Sequence, residues 1–261
     1  MLAPMLSNPL RSVARRLLGV RRTPTYYLPW LTRPGLDCVL LLSNIEARFK
    51  SGYNEGPFRV SVLQYDADGS VVRRYEVVLA SSADTAEVPL EPTAAGCGFV
   101  TVRGDRVHSD LYVTLSDEET YTATHGRGEF IETYPLRTRA LMTAARGALA
   151  LLGRTIPAFA RDQYVYGGAD SRSHLLLMNL SNVTNRIRVT ASGEGALPGA
   201  RLLALPPMGS RLLDISGFLP MAGYGTSVRR LRLEGNAWFN LYVVGAGPRD
   251  LAGPLSLMHV K

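Results

Sequence analysis

Residues 40–44 (LLLSN) recur as residues 175–179 (LLLMN), 135 positions further along the chain. Residues 107–113 (VHSDLYV) recur as residues 237–243 (AWFNLYV), 130 positions further along. Matching segments in the same order and at nearly one spacing are the sequence signature of an internal repeat. The chain of 261 residues is therefore predicted to contain a tandem duplication of one structural unit.

Each copy is predicted to be a run of short strands separated by turn residues. Residues 66–69 (DADG) are typical of a hairpin turn, and Gly104-Asp105 in the first copy matches Gly235-Asn236 in the second. About seven short strands in roughly 100 residues favour an antiparallel β-sandwich, and strands do not alternate with helices as a doubly wound parallel sheet requires. The predicted strands lie near residues 37–43, 57–65, 70–79, 84–90, 97–103, 107–115 and 119–125, and near residues 173–180, 184–192, 200–205, 210–215, 226–234, 237–244 and 254–260.

A basic amphipathic helix is predicted before each strand run. The first spans about residues 9–18 and ends at Gly19, a residue that suits a helix C-terminus. The second spans about residues 136–152, with an apolar face made of Leu141, Met142, Ala145, Ala148, Leu149 and Leu152. We therefore expect a mainly β protein of two tandem antiparallel β-sandwich domains. The expected divisions are residues 1–36 (helix and connector), 37–135 (first sandwich), 136–172 (helix and connector) and 173–261 (second sandwich).

The composition, 46% hydrophobic and 20% charged, is that of a soluble globular protein. The net charge of +7 is unevenly distributed, because residues 1–36 and 136–161 contain arginines and no acidic residue. Residues 37–135 carry 16 acidic and 8 basic residues, and residues 162–261 carry 6 acidic and 10 basic residues. This division argues against nucleic acid as a partner, since the basic charge does not form one basic domain.

Two cysteines, Cys38 and Cys97, are too few for a disulfide framework or a four-thiolate zinc site, so buried free thiols are expected. No secretory signal or membrane-spanning segment is recognisable, because the apolar runs are short and interrupted by proline or arginine. These features indicate a bacterial cytoplasmic protein.

The strand runs resemble the bacterial sensory rhodopsin transducer family, a small cytoplasmic β-sandwich. The resemblance is carried by residues 40–44 and 175–182, by the Pro-Pro edge in residues 205–214 (LPPMGSRLLD), and by a final strand with His125 or His259. The first copy departs from it, since residues 83–87 replace the Pro-Pro edge. The resemblance covers most of each strand run and neither helix. It implies a non-catalytic signalling or ligand-binding role and assigns no partner-binding residue.

The strand near residues 237–244 carries the first candidate site. Alternation directs Phe239 and Leu241 inward and Trp238, Asn240 and Tyr242 outward. An outward Trp and Tyr on one strand would stack on a sugar ring or dock a partner; the alternative is that the rest of the protein covers them. The other residues assigned to a ligand-binding role are Tyr112, His125 and His259.

A metal site is the second candidate, with His108, Asp110 and His125 as ligands. It would exist in the first copy only, because Trp238 and Asn240 occupy the matching positions in the second. We find no sequence motif for a catalytic triad, a phosphate-binding loop or a dinucleotide, and predict no cofactor.

The arginines of the N-terminal segment form the third candidate, a surface for an anionic membrane or a protein partner. They are Arg11, Arg15, Arg16, Arg21 and Arg22. The alternatives are that both helices pack on the sandwiches, or that an arginine face receives the acidic first copy of a neighbouring chain in a homo-oligomer. The leading interpretation is a non-catalytic cytoplasmic scaffold or transducer-like protein, peripheral at the inner membrane. A carbohydrate-binding module and a metal-dependent enzyme acting on glycans are the alternatives.

Overall fold

The computed structural model describes residue 13 and residues 15–45, 56–104, 111–118, 120–151, 158–167, 172–192, 200–215, 227–247 and 255–259. The strands of the first half are β1 (Arg21–Leu31), β2 (Asp37–Ser43), β3 (Phe58–Tyr65), β4 (Val71–Leu79), β5 (Thr85–Pro89), β6 (Cys97–Gly104), β7 (Leu111–Ser116), β8 (Tyr121–His125) and β9 (Arg127–Thr133). Helix α1 (Leu136–Leu151) follows. The strands of the second half are β10 (Phe159–Gly167), β11 (Arg172–Asn179), β12 (Asn185–Ser192), β13 (Ala200–Leu205), β14 (Ser210–Asp214), β15 (Ser227–Gly235), β16 (Phe239–Ala246) and β17 (Ser256–His259).

The strands of each half form two layers. In the first half the orders are β4-β3-β6-β1-β9 and β5-β2-β7-β8. In the second half a single pair, Gly167 with Arg172, joins β13-β12-β15-β10 to β14-β11-β16-β17. Every pairing between these strands is antiparallel. The mainly β, antiparallel sandwich fold is therefore confirmed.

The strand pairings of the first half recur in the second. Six strand pairings connect β1–β8, and each recurs in the second half between strands numbered nine higher. For example, β2 pairs with β5 and β7, and β11 pairs with β14 and β16. The register recurs as well, because Leu41 pairs with Tyr112 and Leu176 pairs with Tyr242. The duplication stays a prediction, and this recurrence supports it.

Strand β1 lies where the sequence predicts a connector. Its prolines argue against a central strand, yet β1 pairs with β9 over residues 21–27 and with β6 over residues 26–31. Pro24 lies in the part paired only with β9, and Pro29 in the part paired only with β6. Each proline can therefore turn its nitrogen to a side on which no described strand pairs with it, where no ladder hydrogen bond is lost.

The sequence predicts no strand after residues 119–125 in the first half, yet β9 begins at Arg127. Gly126 alone passes the chain from the sheet of β8 to the sheet of β1. Its N–H donates to the Leu111 carbonyl at 2.6 Å, and a Cβ on it would lie 3.2 Å from Leu28 and Leu111. The glycine thus makes a tight corner between two sheets.

The predicted end of the first helix at Gly19 is confirmed. Arg15–Leu17 are helical, and Gly19 has a φ of 63°. The Gly19 N–H donates to the Arg16 carbonyl at 3.1 Å and the Val20 N–H to the Arg15 carbonyl at 3.0 Å, the pattern of a Schellman cap. The helix start and Arg11 lie outside the described residues.

The packing face of α1 differs from the predicted one. Thr138 is buried, and Met142 and Ala145 are half-buried, whereas Leu141 and Ala148 are exposed. The Thr138 hydroxyl donates to the Leu18 carbonyl at 2.7 Å, which places the start of α1 beside the N-terminal turn. A hydrogen bond thus fixes a face that apolar periodicity alone does not identify. The side chains of Leu149 and Leu152 are outside the described part.

The two halves pack against each other through sheet faces. The back face of the first half, meaning the side of β1 and β6 turned away from β2 and β7, carries Tyr27, Leu31, Cys97 and Phe99. The front face of the second half, meaning the side of β11 and β16 turned away from β10 and β15, carries Leu176, Met178, Tyr242 and Val244. All eight side chains are buried and belong to one hydrophobic cluster, so a continuous core joins the halves.

Candidate functional site

The face predicted to bind a ligand in the second half lies in the contact between the halves. Tyr242 is fully buried, and its ring meets that of Tyr27 edge to face at 6.0 Å between centroids. Its hydroxyl donates to the carbonyl of His125 at 3.3 Å. Burial raises the pKa of both tyrosines, so each phenol stays protonated as a donor. The alternation was predicted correctly, but the first half covers this face.

Trp238 lies between two guanidinium groups rather than in solvent. The Arg161 and Arg22 guanidinium carbons lie 5.2 and 5.6 Å from its ring, and Phe159 meets it edge to face at 5.2 Å. Arg161 is fixed by a 3.1 Å bond from its Nε to the Phe239 carbonyl, and burial lowers its pKa. Trp238 and Arg161 are half-buried and Arg22 is exposed, so each cation–π contact contributes about 0.5–2 kcal/mol. Nothing in the sequence around Trp238 indicates Arg22, which lies on the distant strand β1.

Asn240 is also fully buried. Its Oδ1 accepts a hydrogen bond from the Leu241 N–H at 3.0 Å, while its Nδ2 has no hydrogen-bond partner among the described residues. A sugar cannot reach this amide or the ring of Tyr242 while the halves are in contact. The geometry therefore does not favour a carbohydrate site formed by Trp238, Asn240 and Tyr242.

Tyr112 and His125 are paired in register on β7 and β8 and are both exposed. The Nδ1 of His125 lies 3.1 Å from the Gly126 carbonyl oxygen. Tyr242 and His259 hold the same register positions on β16 and β17. The sequence analysis matched Tyr112 with Tyr242 and His125 with His259 between the copies but did not predict that each tyrosine pairs with a histidine. The side chain of His259 lies outside the described set.

A buried carboxylate, Glu132 on β9, holds the N-terminal segment. Its Oε1 lies 3.0 Å from the Nε of Arg15 and 3.1 Å from the Nε of Arg22, and its Oε2 accepts the Tyr134 hydroxyl at 2.8 Å. The side chain of Glu132 has no exposed surface. Burial, with Glu132 beside it, raises the pKa of Tyr134, so this phenol stays a donor. These ion pairs and this hydrogen bond offset the cost of burying the Glu132 side chain.

Glu132 also connects the first half to the second. Its N–H donates to the Leu180 carbonyl at 2.9 Å, and its carbonyl accepts the Asn182 N–H at 3.2 Å. The Asn182 Oδ1 accepts the Tyr134 backbone N–H at 2.8 Å, and the Asn182 Nδ2 donates to the Tyr134 carbonyl at 3.1 Å. Sequence reasoning missed Glu132. The available signal was that residues 1–36 contain no acid, so any arginine there that forms an ion pair needs a distant partner.

The arginines predicted to form one surface therefore divide. Arg15, which is half-buried, and Arg22, which is exposed, pair with Glu132; Arg16 and Arg21 are exposed. Arg11 is not among the described residues.

The predicted metal site cannot be assembled from the residues that the structure describes, because His108 and Asp110 lie outside them. Within the described ranges, no three His, Cys, Asp or Glu side chains lie close enough to hold a metal ion. A cleft of about 740 Å³ opens where β1 separates from β6, lined among others by Pro24, Arg103 and Glu129. A second, of about 800 Å³, lies among the loops around Arg33 and Asp117, which form an ion pair.

Cys38 and Cys97 are buried and free, as expected. Burial raises the pKa of Cys38 to about 12 and also raises that of Cys97, so almost no thiolate forms near neutral pH. We expect neither thiol of the native protein to react with a thiol reagent at the rate of the unfolded chain. Both should react after addition of denaturant, which a colorimetric thiol titration measures. Rapid native labelling of either cysteine would contradict this; Cys38→Ala and Cys97→Ala variants identify the one that reacts.

No protein-family model and no curated protein sequence matches this chain. In the described part of the chain, no helix has both the length and the apolar character needed to cross a bilayer.

Proposed function

We propose that this protein is a non-catalytic interaction protein that binds an anionic membrane surface through a helical surface. This helical surface comprises the exposed residues Val13, Arg16, Leu17, Leu18, Leu136, Arg137, Arg139, Ala140 and Leu141. The observation that carries the proposal is the exposure of its leucines: 82% for Leu17, 77% for Leu136 and 66% for Leu141. Contiguous exposed apolar side chains mark interaction sites more often than chance exposure does.

The N-terminal turn and α1 form this surface together. The hydrogen bond from Thr138 to the Leu18 carbonyl joins them, and Gly19 packs near the ring of Pro135. The side of α1 that holds Thr138, Met142 and Ala145 faces the protein, so the opposite side faces outward. An amphipathic helix in this orientation can lie in the plane of a membrane interface.

The charge of the surface selects an anionic partner. Arg16, Arg21, Arg137 and Arg139 are exposed, and residues 1–36 and 136–161 contain no acidic residue. Each arginine near an anionic bilayer contributes about 1 kcal/mol, and the leucines add burial of apolar area in the interface. The strand halves would then be held at the membrane, where a scaffold of the kind implied by the transducer resemblance would meet a protein partner.

Vesicle flotation tests the proposal. We expect the full chain to float with phosphatidylcholine vesicles that contain phosphatidylglycerol and not with phosphatidylcholine alone. Replacing two surface arginines, in Arg137→Ala/Arg139→Ala, should weaken binding about thirtyfold at about 1 kcal/mol per charge. Leu17→Glu/Leu141→Glu should abolish flotation, because two carboxylates then face anionic lipid.

A matched control is Val71→Glu/Val78→Glu, which places the same charges on exposed apolar residues of β4. This variant should float like the parent protein. The proposal would be refuted if Leu17→Glu/Leu141→Glu left the floated fraction of protein unchanged. It would also be refuted if that fraction were equal with and without anionic lipid. Deletion of residues 1–22 is not a clean test, since Arg15, Arg22 and the start of β1 belong to the fold.

A further inference from the structure

The contact between the two halves joins unlike surfaces, a back face and a front face. Because the strand pairings recur, each half has one back face and one front face. The intramolecular contact uses the back face of the first half and the front face of the second. The front face of the first half and the back face of the second are left without a covering sheet among the described residues.

We propose that these two remaining faces bind each other between copies of this chain, so that molecules associate head to tail. The front face of the first half is the outer side of β5-β2-β7-β8, with Asp37, Val39, Leu41, Glu87, Tyr112, Tyr121, Ala123 and His125. The back face of the second half is the outer side of β13-β12-β15-β10, with Asp162, Tyr164, Arg186, Arg188, Leu202, Val228, Arg230, Arg232 and Glu234.

The front face of the first half matches, position by position, a face that is already an interface. Leu41 and Tyr112 occupy the register positions of Leu176 and Tyr242, which the first half buries. In the first half, by contrast, Tyr112 is 41% exposed and the neighbouring Tyr121 is 69% exposed. The second copy of this surface shows which kind of partner the fold accommodates there: the back of another sheet of the same protein.

The back face of the second half has exposed apolar side chains and excess positive charge. Tyr164, Leu202 and Val228 are each more than half exposed. The Asp162 Oδ2 lies 2.9 Å from the Arg230 guanidinium and 3.4 Å from that of Arg232. The Glu234 Oε1 lies 3.1 Å from the Arg232 Nε. Arg186 and Arg188, on the same face, have no acidic partner among the described residues.

The opposing face has excess negative charge. Asp37 and Glu87 are exposed acids, and none of its described residues is a lysine or an arginine. Glu87 and Asp37 form no ion pair with a described residue. Two acids without partners on one face and two arginines without partners on the other are complementary, which favours a second copy as the occupant. At the level of the sequence, residues 37–135 have 8 more acidic than basic residues, whereas residues 162–261 have 4 more basic than acidic residues.

Head-to-tail contacts of this kind do not close after two subunits. A heterologous interface extends into a filament or a ring, so the assembly should grow with concentration instead of stopping at a symmetric dimer. Because exposed charges contribute, added salt should weaken it.

Sedimentation velocity of the full chain tests this proposal with variants blocked at one end each. Glu87→Arg/Tyr112→Arg blocks the front face, and Tyr164→Glu/Arg188→Glu blocks the back face. The parent protein should form dimers and larger species as its concentration rises, whereas each variant alone should require at least about tenfold higher concentration, or about 1.4 kcal/mol, to associate. An equimolar mixture of the two variants should associate at concentrations at which neither variant does alone, since one variant keeps a working back face and the other a working front face.

Circular dichroism and thermal unfolding confirm that each variant is folded. Leu17→Glu/Leu141→Glu, which tests membrane binding, should leave the sedimentation profile unchanged, so the two proposals fail separately. A parent protein that stays monomeric at every concentration would overturn head-to-tail association. So would a mixture of the blocked variants that yields no dimer, or growth that neither block prevents.

Discussion

Tyr242→Ala is expected to lower the free energy of unfolding by about 3–5 kcal/mol, the range seen when a large buried aromatic ring is truncated. The ring fills the contact between the halves, where it touches Tyr27 and has no exposed surface. Truncation leaves a cavity on a surface that both halves share. Urea unfolding followed by tryptophan fluorescence measures the loss. We also expect the single transition of the parent protein to separate into two, because the cavity weakens the coupling between halves more than either half.

The recurrence of strand pairings provides a matched control for this prediction. Tyr112 holds the same register position in the first half but is partly exposed, so Tyr112→Ala should cost no more than about 0.5 kcal/mol. Tyr242→Phe loses only the bond to the His125 carbonyl and should cost about 0.5–1.5 kcal/mol. Equal losses for the two alanine variants would show that Tyr242 does not lie in a buried contact.

Glu132→Ala is expected to lower the free energy of unfolding by about 1–3 kcal/mol, because the buried Tyr134 hydroxyl is left without its acceptor and two arginines lose their partner. Arg15 and Arg22 would lose their acidic partner, and the Tyr134 hydroxyl would lose its acceptor. Glu132→Gln keeps the shape and an acceptor oxygen, so we expect a smaller loss. Chemical denaturation at neutral pH and low salt measures both.

Glu91→Ala is the control for the loss of a carboxylate as such. Glu91 pairs with Arg73 at the surface, where both side chains are about half exposed, so its removal should cost about 0–1 kcal/mol. If the two glutamate variants lose the same stability, the carboxylate of Glu132 is not the buried junction that the structure shows. A double-mutant cycle with Arg22→Ala then measures the coupling of that pair directly.

Local patterns predicted the strands that alternate and the pairs that match between halves. The sequence matched Tyr112 with Tyr242 and His125 with His259, and in the structure each tyrosine lies opposite a histidine on the neighbouring strand. Strand β1 was missed because a pattern cannot show that Pro24 and Pro29 each lie where the strand has one neighbour. Alternation also separates the two faces of β16 but does not tell which face another half will cover.

The candidate residues that sequence reasoning misplaced depend on contacts between distant parts of the chain. Arg22 reads as a surface arginine, yet its partner Glu132 is 110 positions away. Similarly, the packing face of α1 is set by the bond from Thr138 to the Leu18 carbonyl, which no periodicity of apolar residues encodes. The exposed leucines of the helical surface follow from that choice of face.

The staggered pairing of β1 has a consequence for how the protein avoids unwanted association. Among the described residues, β1 has no paired strand on one side over residues 21–25 and none on the other side over residues 28–31. Residues 28–31 are buried, so only the exposed stretch around Pro24 is open to a foreign strand, which can add to a sheet edge and start aggregation. Pro24 offers no N–H to an incoming strand and thus protects this edge from becoming a template for fibril growth.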